Sequence, residues 1–235
     1  MSENQTNEFY TGVEKLLVAV DCIIFGFEKQ HLKLLLFKRK VEPFQGEWSL
    51  IGSFVKPDEN VDAAAARVLE ECTGLKDIYL DELAVYGDLN RDIGGRVISI
   101  AHYALIRINE QEKNISEKYE AKWFDIEDVP SLMLDHSIMV ERALGRLRRK
   151  TKTQPIGFQL LPEQFTIPQL KSLYDGIFQK NLDKRNFRKK ALAMGILEKL
   201  DKKDKSTSKK GAFLYRFNKK KYEKLAAKGF NFDLS

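Results

Sequence analysis

Residues 151–158 read TKTQPIGF, and the sequence on either side of that stretch follows different rules. Residues 151–235 hold 20 Lys and Arg against 8 Asp and Glu, a net +12. Taking these from the totals of 40 and 34 leaves residues 1–150 with 20 against 26, a net −6. Halves of opposite charge, joined by a polar segment carrying Pro155 and Gly157, point to two modules with different partners. A chain of 235 residues has room for about two domains. The expected boundaries are 1–152 and 153–235. The basic half invites a polyanion, most simply nucleic acid.

The acidic half alternates strand signals with single helices. "LLVAVDCIIFGF" and "HLKLLLFKRK" are apolar, β-branched or aromatic runs around a short turn, and "WSLIGSFV" is a third run. "VDAAAARVLEECTG" predicts a helix stopped by Gly74. Strand-like segments follow in "IYLDELAVYGDL", "GRVISIAHYALIRI" and "YEAKWFDI". "DHSIMVERALGRLRRK" predicts a second helix with Asp135 as its N-cap and basic residues in its last turn. Many strands with few helices make an α/β fold, a mixed sheet between helices.

The basic half has a different rhythm. "TIPQLKSLYDGIFQ" spaces Leu170, Leu173, Tyr174 and Ile177 as a helix does, and "KRNFRKKALAMG" predicts another, stopped at Gly195. "ILEKLDK" and "AFLYRF" flank the polar turn "KDKSTSKKG". Helix, turn, helix and basic hairpin together predict a C-terminal winged helix-turn-helix.

Other classes are disfavoured. Cys22 and Cys72 make neither a disulfide framework nor a zinc set. No run approaches a membrane span, and "MSENQTNEFY" lacks an apolar signal region, so a cytoplasmic protein without membrane association is expected.

The stretch Gly52 to Leu75 carries the chemical question. Pyrophosphate hydrolysis assisted by Mg²⁺ or Mn²⁺ needs several carboxylates on one helical face. At about 100° per residue, positions 68, 71 and 72 share such a face. They are Val68, Glu71 and Cys72, so one carboxylate stands where three would serve. Valine ligates nothing and thiolate is a soft donor. No metal and no cofactor are expected.

With these residues in view, the stretch resembles a degenerate Nudix box. Glu59, Arg67, Leu69, Glu71, Gly74 and Leu75 match its pattern, while Ser53, Val68 and Cys72 depart from it. The order of "VAVDCIIF", "PFQGEWSLIGSFV", "RVISIAHYAL", "LDHSIM" and "KRNFRKKALAMGILE" is similar to NrtR-like regulators, Nudix domains fused to a DNA-binding module. Within that group the chain most resembles the arabinose-responsive regulators, AraR. The resemblance implies a repressor without hydrolase activity, released from DNA by L-arabinose. The alternatives are an ADP-ribose-responsive regulator of NAD metabolism, or an active metal-dependent Nudix hydrolase.

In Nudix folds the segments carrying Asp21, Lys38, Arg39, Glu47, Trp48, Arg91, His102, Asp135 and His136 border the ligand cleft, so these are the expected effector contacts. Simpler readings stay open: Asp135 suits a helix cap, Trp48 a core, and His102 a satisfied strand position. The DNA side rests on residue chemistry. Phe187, Ala191 and Met194 share one face of their helix. Lys184, Arg185, Asn186, Arg188, Lys189 and Lys190 supply guanidinium, amide and ammonium groups for base edges and phosphates. Ser206, Thr207, Ser208, Lys209 and Lys210 form the expected wing tip. The expected partner is a double-stranded operator, and a homodimer would pair two half-sites about one helical turn apart.

Overall fold

A computed structural model describes residues 11–75, 78–108, 121–206, 209–230, 232 and 234. Its first half is built on β1 (Leu17–Glu28), which is buried almost without interruption from Val20 to Phe27. Such a continuous apolar run suits a strand covered on both faces. β1 pairs antiparallel with β2 (His31–Lys38) and β4 (Ile51–Phe54), and parallel with β6 (Val97–Arg107). β3 (Trp48–Ser49) and β7 (Ala121–Asp125) extend the sheet from β2, and β5 (Leu80–Tyr86) extends it from β6. The run "WSLIGSFV" is therefore two short strands separated by Leu50.

Alternation along β1 sorts the two faces. Val20, Cys22 and Ile24 meet α1 (Val61–Thr73), whereas Ile23, Phe25 and Phe27 meet α2 (His136–Thr153). Asn60 caps α1 by accepting from Ala63 N–H at 2.8 Å, and Gly74 closes it at φ 73°, the left-handed conformation its sequence position called for. Asp135 precedes α2, but its side chain makes no cap bond.

The segment TKTQPIGF is folded throughout. Helix α2 runs through Thr153 with Thr151 buried, and Pro155–Gln159 forms a 3₁₀ turn that buries Phe158. Next come β8 (Phe165–Thr166), α3 (Ile167–Phe178), α4 (Lys184–Ala193), β9 (Leu197–Asp204), β10 (Ala212–Phe217) and α5 (Lys219–Ala226). Thr166 and Gln169 form a reciprocal capping box at the start of α3. The small sheet has the order β8-β10-β9. The sequence pattern gave no notice of α5.

One apolar core serves both halves. It runs from Phe25 and Leu34 of the large sheet through Met139 and Leu147 of α2 to Leu173 and Tyr174 of α3, then Phe187 of α4 and Tyr215 of β10. The seam is tight. A Cβ on Gly176 of α3 would lie 2.9 Å from Leu32 Cβ on β2. Among the described residues, no helix is long and apolar enough to cross a membrane.

Candidate effector cavity and nucleic-acid interface

Asp21 is the ion-pairing centre of the first site. It sits in the apolar run of β1 and is 6% exposed. A buried carboxylate requires partners, and the fold provides three. Ser99 Oγ donates to Asp21 Oδ2 at 2.5 Å, Arg91 lies 3.7 Å from the same oxygen, and His136 Nε2 stands 3.7 Å from Oδ1. Arg91 also donates to Asp135 through both Nε (2.9 Å) and Nη2 (2.8 Å). That fork matches a carboxylate's two oxygens and explains why Asp135 leaves its helix end uncapped by its side chain. His136 Nδ1 accepts from Leu50 N–H at 3.2 Å, which puts the proton of a neutral ring on Nε2, toward Asp21. Burial pushes the His136 pKa below its ordinary value, against the pull of Asp21 and Asp135.

Asp21, Arg91 and His136 form one wall of a cavity of about 250 Å³. Phe44 and Phe54 supply its aromatic surface, with Met133 and Leu134 nearby. The loop after β2 hangs over it and is tied down at three points. Arg39 N–H donates to Glu47 C=O at 3.0 Å, Gly46 N–H donates to Arg39 C=O at 2.8 Å, and Arg39 Nε donates to Pro43 C=O at 2.5 Å. A second cavity of about 340 Å³ shares Arg39, Ser49, Leu50 and Gly52 with the first and reaches Lys38, Lys40, Glu71 and Cys72. The two cavities are neighbours on the same side of the sheet.

The fold thus brings together Asp21, Arg39, Arg91 and His136, with Asp135 holding Arg91 from behind, while Lys38 lines only the second cavity and has its Nζ 5.6 Å from the centroid of the Trp48 ring. It places three other expected residues elsewhere. Trp48 packs edge-on against Phe124, ring centroids 4.8 Å apart, as part of the core, because it points to the other side of its short strand. Glu47 is exposed and uses only its backbone. His102 pairs in register with Cys22 and so faces α1, where Nε2 lies 3.6 Å from Asp62. Sequence reading missed Phe44, Phe54 and Ser99. Ser99, a hydroxyl in an apolar strand, was the one detectable signal; the two aromatics depend on how the loops run.

The metal face of α1 is filled with other chemistry. Val68 is 1% exposed and packs among the apolar residues between α1 and β1. Cys72 is half-buried, and burial, then the neighbouring Glu71, pushes its thiol pKa up. The carboxylates of Glu59 and Glu71 are both taken by Arg67. Arg67 donates to Glu59 at 2.8 and 2.5 Å and to Glu71 at 3.0 Å. Those bonds hold the Glu59 carboxyl at about 2, below its usual range. These residues do not fit a divalent-ion centre. Among the described residues, no group of three His, Cys, Asp or Glu side chains is arranged to hold a metal.

On the basic half, Asp183 caps α4 by accepting from Asn186 N–H at 2.7 Å. Phe187 and Ala191 are buried, while Lys184, Arg185, Asn186, Arg188 and Lys189 are exposed and Lys190 is half-buried. In the β9–β10 hairpin, Ser206 N–H donates to Asp204 at 2.8 Å, and Lys209 and Lys210 are exposed. The expected contacts Thr207 and Ser208 lie outside the described residues.

The family description "NUDIX domain" matches residues 15–142, and "NrtR DNA-binding winged helix domain" matches residues 157–217. The chain is 33% identical over 211 residues to the "ADPR responsive transcriptional repressor NtrR" of Acinetobacter baylyi, covering 88% of this chain and 84% of that protein. It is 40% identical over 124 residues to the "ADP-ribose pyrophosphatase" of Methanocaldococcus jannaschii, covering 53% and 70%. Among solved structures, it resembles Shewanella oneidensis NrtR complexed with a 27mer DNA. There the TM-score is 0.72 at 27% identity, covering 85% of this chain and 93% of that one. The NUDIX domain of the same protein, complexed with ADP ribose, matches with a TM-score of 0.52 at 28% identity, covering 63% and 99%.

Proposed function

We infer the function from one premise: the chain belongs to the NrtR-like family, in which a Nudix domain precedes a DNA-binding winged helix. On that premise we propose a transcriptional repressor that holds duplex DNA with α4 and the wing and lets it go when ADP-ribose enters the Nudix cleft. The observation that carries the reading is the cleft itself. It keeps a cavity lined by Arg39, with Lys40 on the adjoining one, while two of three positions on its metal face hold Val68 and Cys72. The cations suit a diphosphate, Phe44 or Phe54 a nucleobase face, and the Asp21 network ribose hydroxyls.

L-Arabinose, expected from the resemblance to AraR, loses its place as effector. Nothing in the relatives supports it, and three of those named carry ADP-ribose in their descriptions. Hydrolysis is the second reading, because a pyrophosphatase is also a relative. The occupied carboxylates and absent ligands of α1 speak against it.

Coupling between the sites would run through α2. His136, its first residue, lines the cleft. Near its far end, Arg148 Nε donates to Ile177 C=O near the end of α3 at 2.7 Å, seven residues before α4 begins at Lys184. A ligand that redraws the Arg91–Asp135–His136 bonds would shift α2, and α3 with it. The test is an anisotropy titration of a homodimer on duplexes selected from a random pool. Saturating ADP-ribose should weaken binding about 5- to 150-fold, the usual range of coupling between two sites, whereas arabinose and glucose should not. Release by arabinose alone would refute the effector assignment. Release of AMP from ADP-ribose with Mn²⁺ would refute the loss of catalysis.

A further inference from the structure

α5 is a charged element that neither the cleft nor the wing accounts for. It has no buried residue and is anchored through Tyr222 and Leu225, which pack onto the core. At about 100° per residue, Lys220, Lys221 and Lys224 fall within one sector of roughly 100°, with Tyr222 pointing away. All three are exposed, and the only acid in the helix, Glu223, stands 4.0 Å from Lys219.

This arrangement opposes the helix's own electrostatics. Three lysines occupy the first turn, at the positive end of the helix dipole, with no acid among them. Lys220 and Lys224 are like charges at i and i+4, which repel. An anion along this face would relieve both conflicts. The position of α5 says which anion. Asn218 N–H donates to Ile196 C=O at 2.9 Å, and Lys221 Nζ would lie 3.7 Å from a Cβ on Gly195, the residue that ends α4's exit turn. The lysine face therefore continues the basic surface of α4 at its C-terminal end.

We propose that Lys220, Lys221 and Lys224 of α5 bind backbone phosphates of the same duplex that α4 reads, fixing the register of α4 without reading bases. The inference rests on the DNA-binding role assigned to α4. The test compares the full-length protein with a K220A/K221A/K224A variant on a selected duplex and on a random one, across a salt series. Each phosphate contact contributes about 0.9 to the slope of log K against log salt. The variant should therefore lose about 2–3 in slope, and its affinity should fall by similar factors on both duplexes. Circular dichroism should be unchanged, because these side chains bury nothing. An unchanged slope would overturn the proposal, as would a loss confined to the selected duplex. If the unmutated protein fails to prefer the selected duplex, the reading of α4 fails and this inference falls with it. If it does discriminate and the triple variant behaves alike, only the role of α5 is wrong.

Discussion

A methyl group at Gly52 would sit 2.2 Å from Asp21 Oδ1 and 3.0 Å from the Val20 carbonyl. Asp21 is held by Ser99 and backed by Arg91, so it has little room to retreat. Gly52→Ala should destabilise the protein by about 1–3 kcal/mol, the usual range for overpacking. It should also abolish the thermal shift produced by ADP-ribose; an unchanged shift would mean the ligand sits elsewhere. His136 gives a pH signature. Its pKa is lowered in the fold, so as pH falls the unfolded chain takes up the proton first. The stability due to neutral His136 is complete above about pH 6.5 and declines below it, by at most ~1.4 kcal/mol per pH unit. Urea unfolding at pH 7.5 and 5.5 should show this loss, and His136→Asn, which can still accept from Leu50 N–H, should reduce it. At this scale the sequence was a partial guide. A carboxylate in an apolar strand announces that it has partners, so Asp21 was legible. Which aromatic lines a cavity depends on loop geometry, so the sequence pointed to Trp48 and gave no sign of Phe44.

α4 and α1 illustrate why some elements can be read and others cannot. α4 has Phe187 and Ala191 on one face and cations on the rest, and the buried face follows from spacing alone. Arg185→Ala or Arg188→Ala should weaken binding to a selected duplex by about 1–3 kcal/mol and to random DNA very little, measured by competition titration. Equal losses on both would reduce α4 to a nonspecific basic patch. α1 was legible in its boundaries and in its missing ligands. What spacing could not supply was the role of Arg67, which draws Glu59 and Glu71 into ion pairs. Restoring one acid by Val68→Glu would bury an unpaired carboxylate, so the melting temperature should fall sharply whether or not Mn²⁺ is present. A metal-dependent recovery would show that the site still accepts an ion. α5 escaped notice because its pattern, "NKKKYEKLA", is dominated by charge, and only contact with the core makes it a helix.

Over the whole molecule, both modules were visible in composition and periodicity, but their union was not. Contacts such as Gly176 on Leu32 link residues 144 positions apart, and no local pattern encodes them. Because Arg148 joins α2 to Ile177 and Gln179, Arg148→Ala should leave operator affinity near its original value and shrink the response to ADP-ribose. Titrations with and without ligand measure this directly. An undiminished response would mean that the signal bypasses α2. Residues 1–150 carry a net −6 and residues 151–235 a net +12, so the chain's charge is divided lengthwise between its two modules. In the field of a duplex such a molecule experiences a torque as well as an attraction. It turns before it touches, basic module toward the phosphates and acidic module away. Encounters are thereby pre-aligned, and this benefit fades as added salt shortens the reach of the field to roughly 10 Å at 0.1 M.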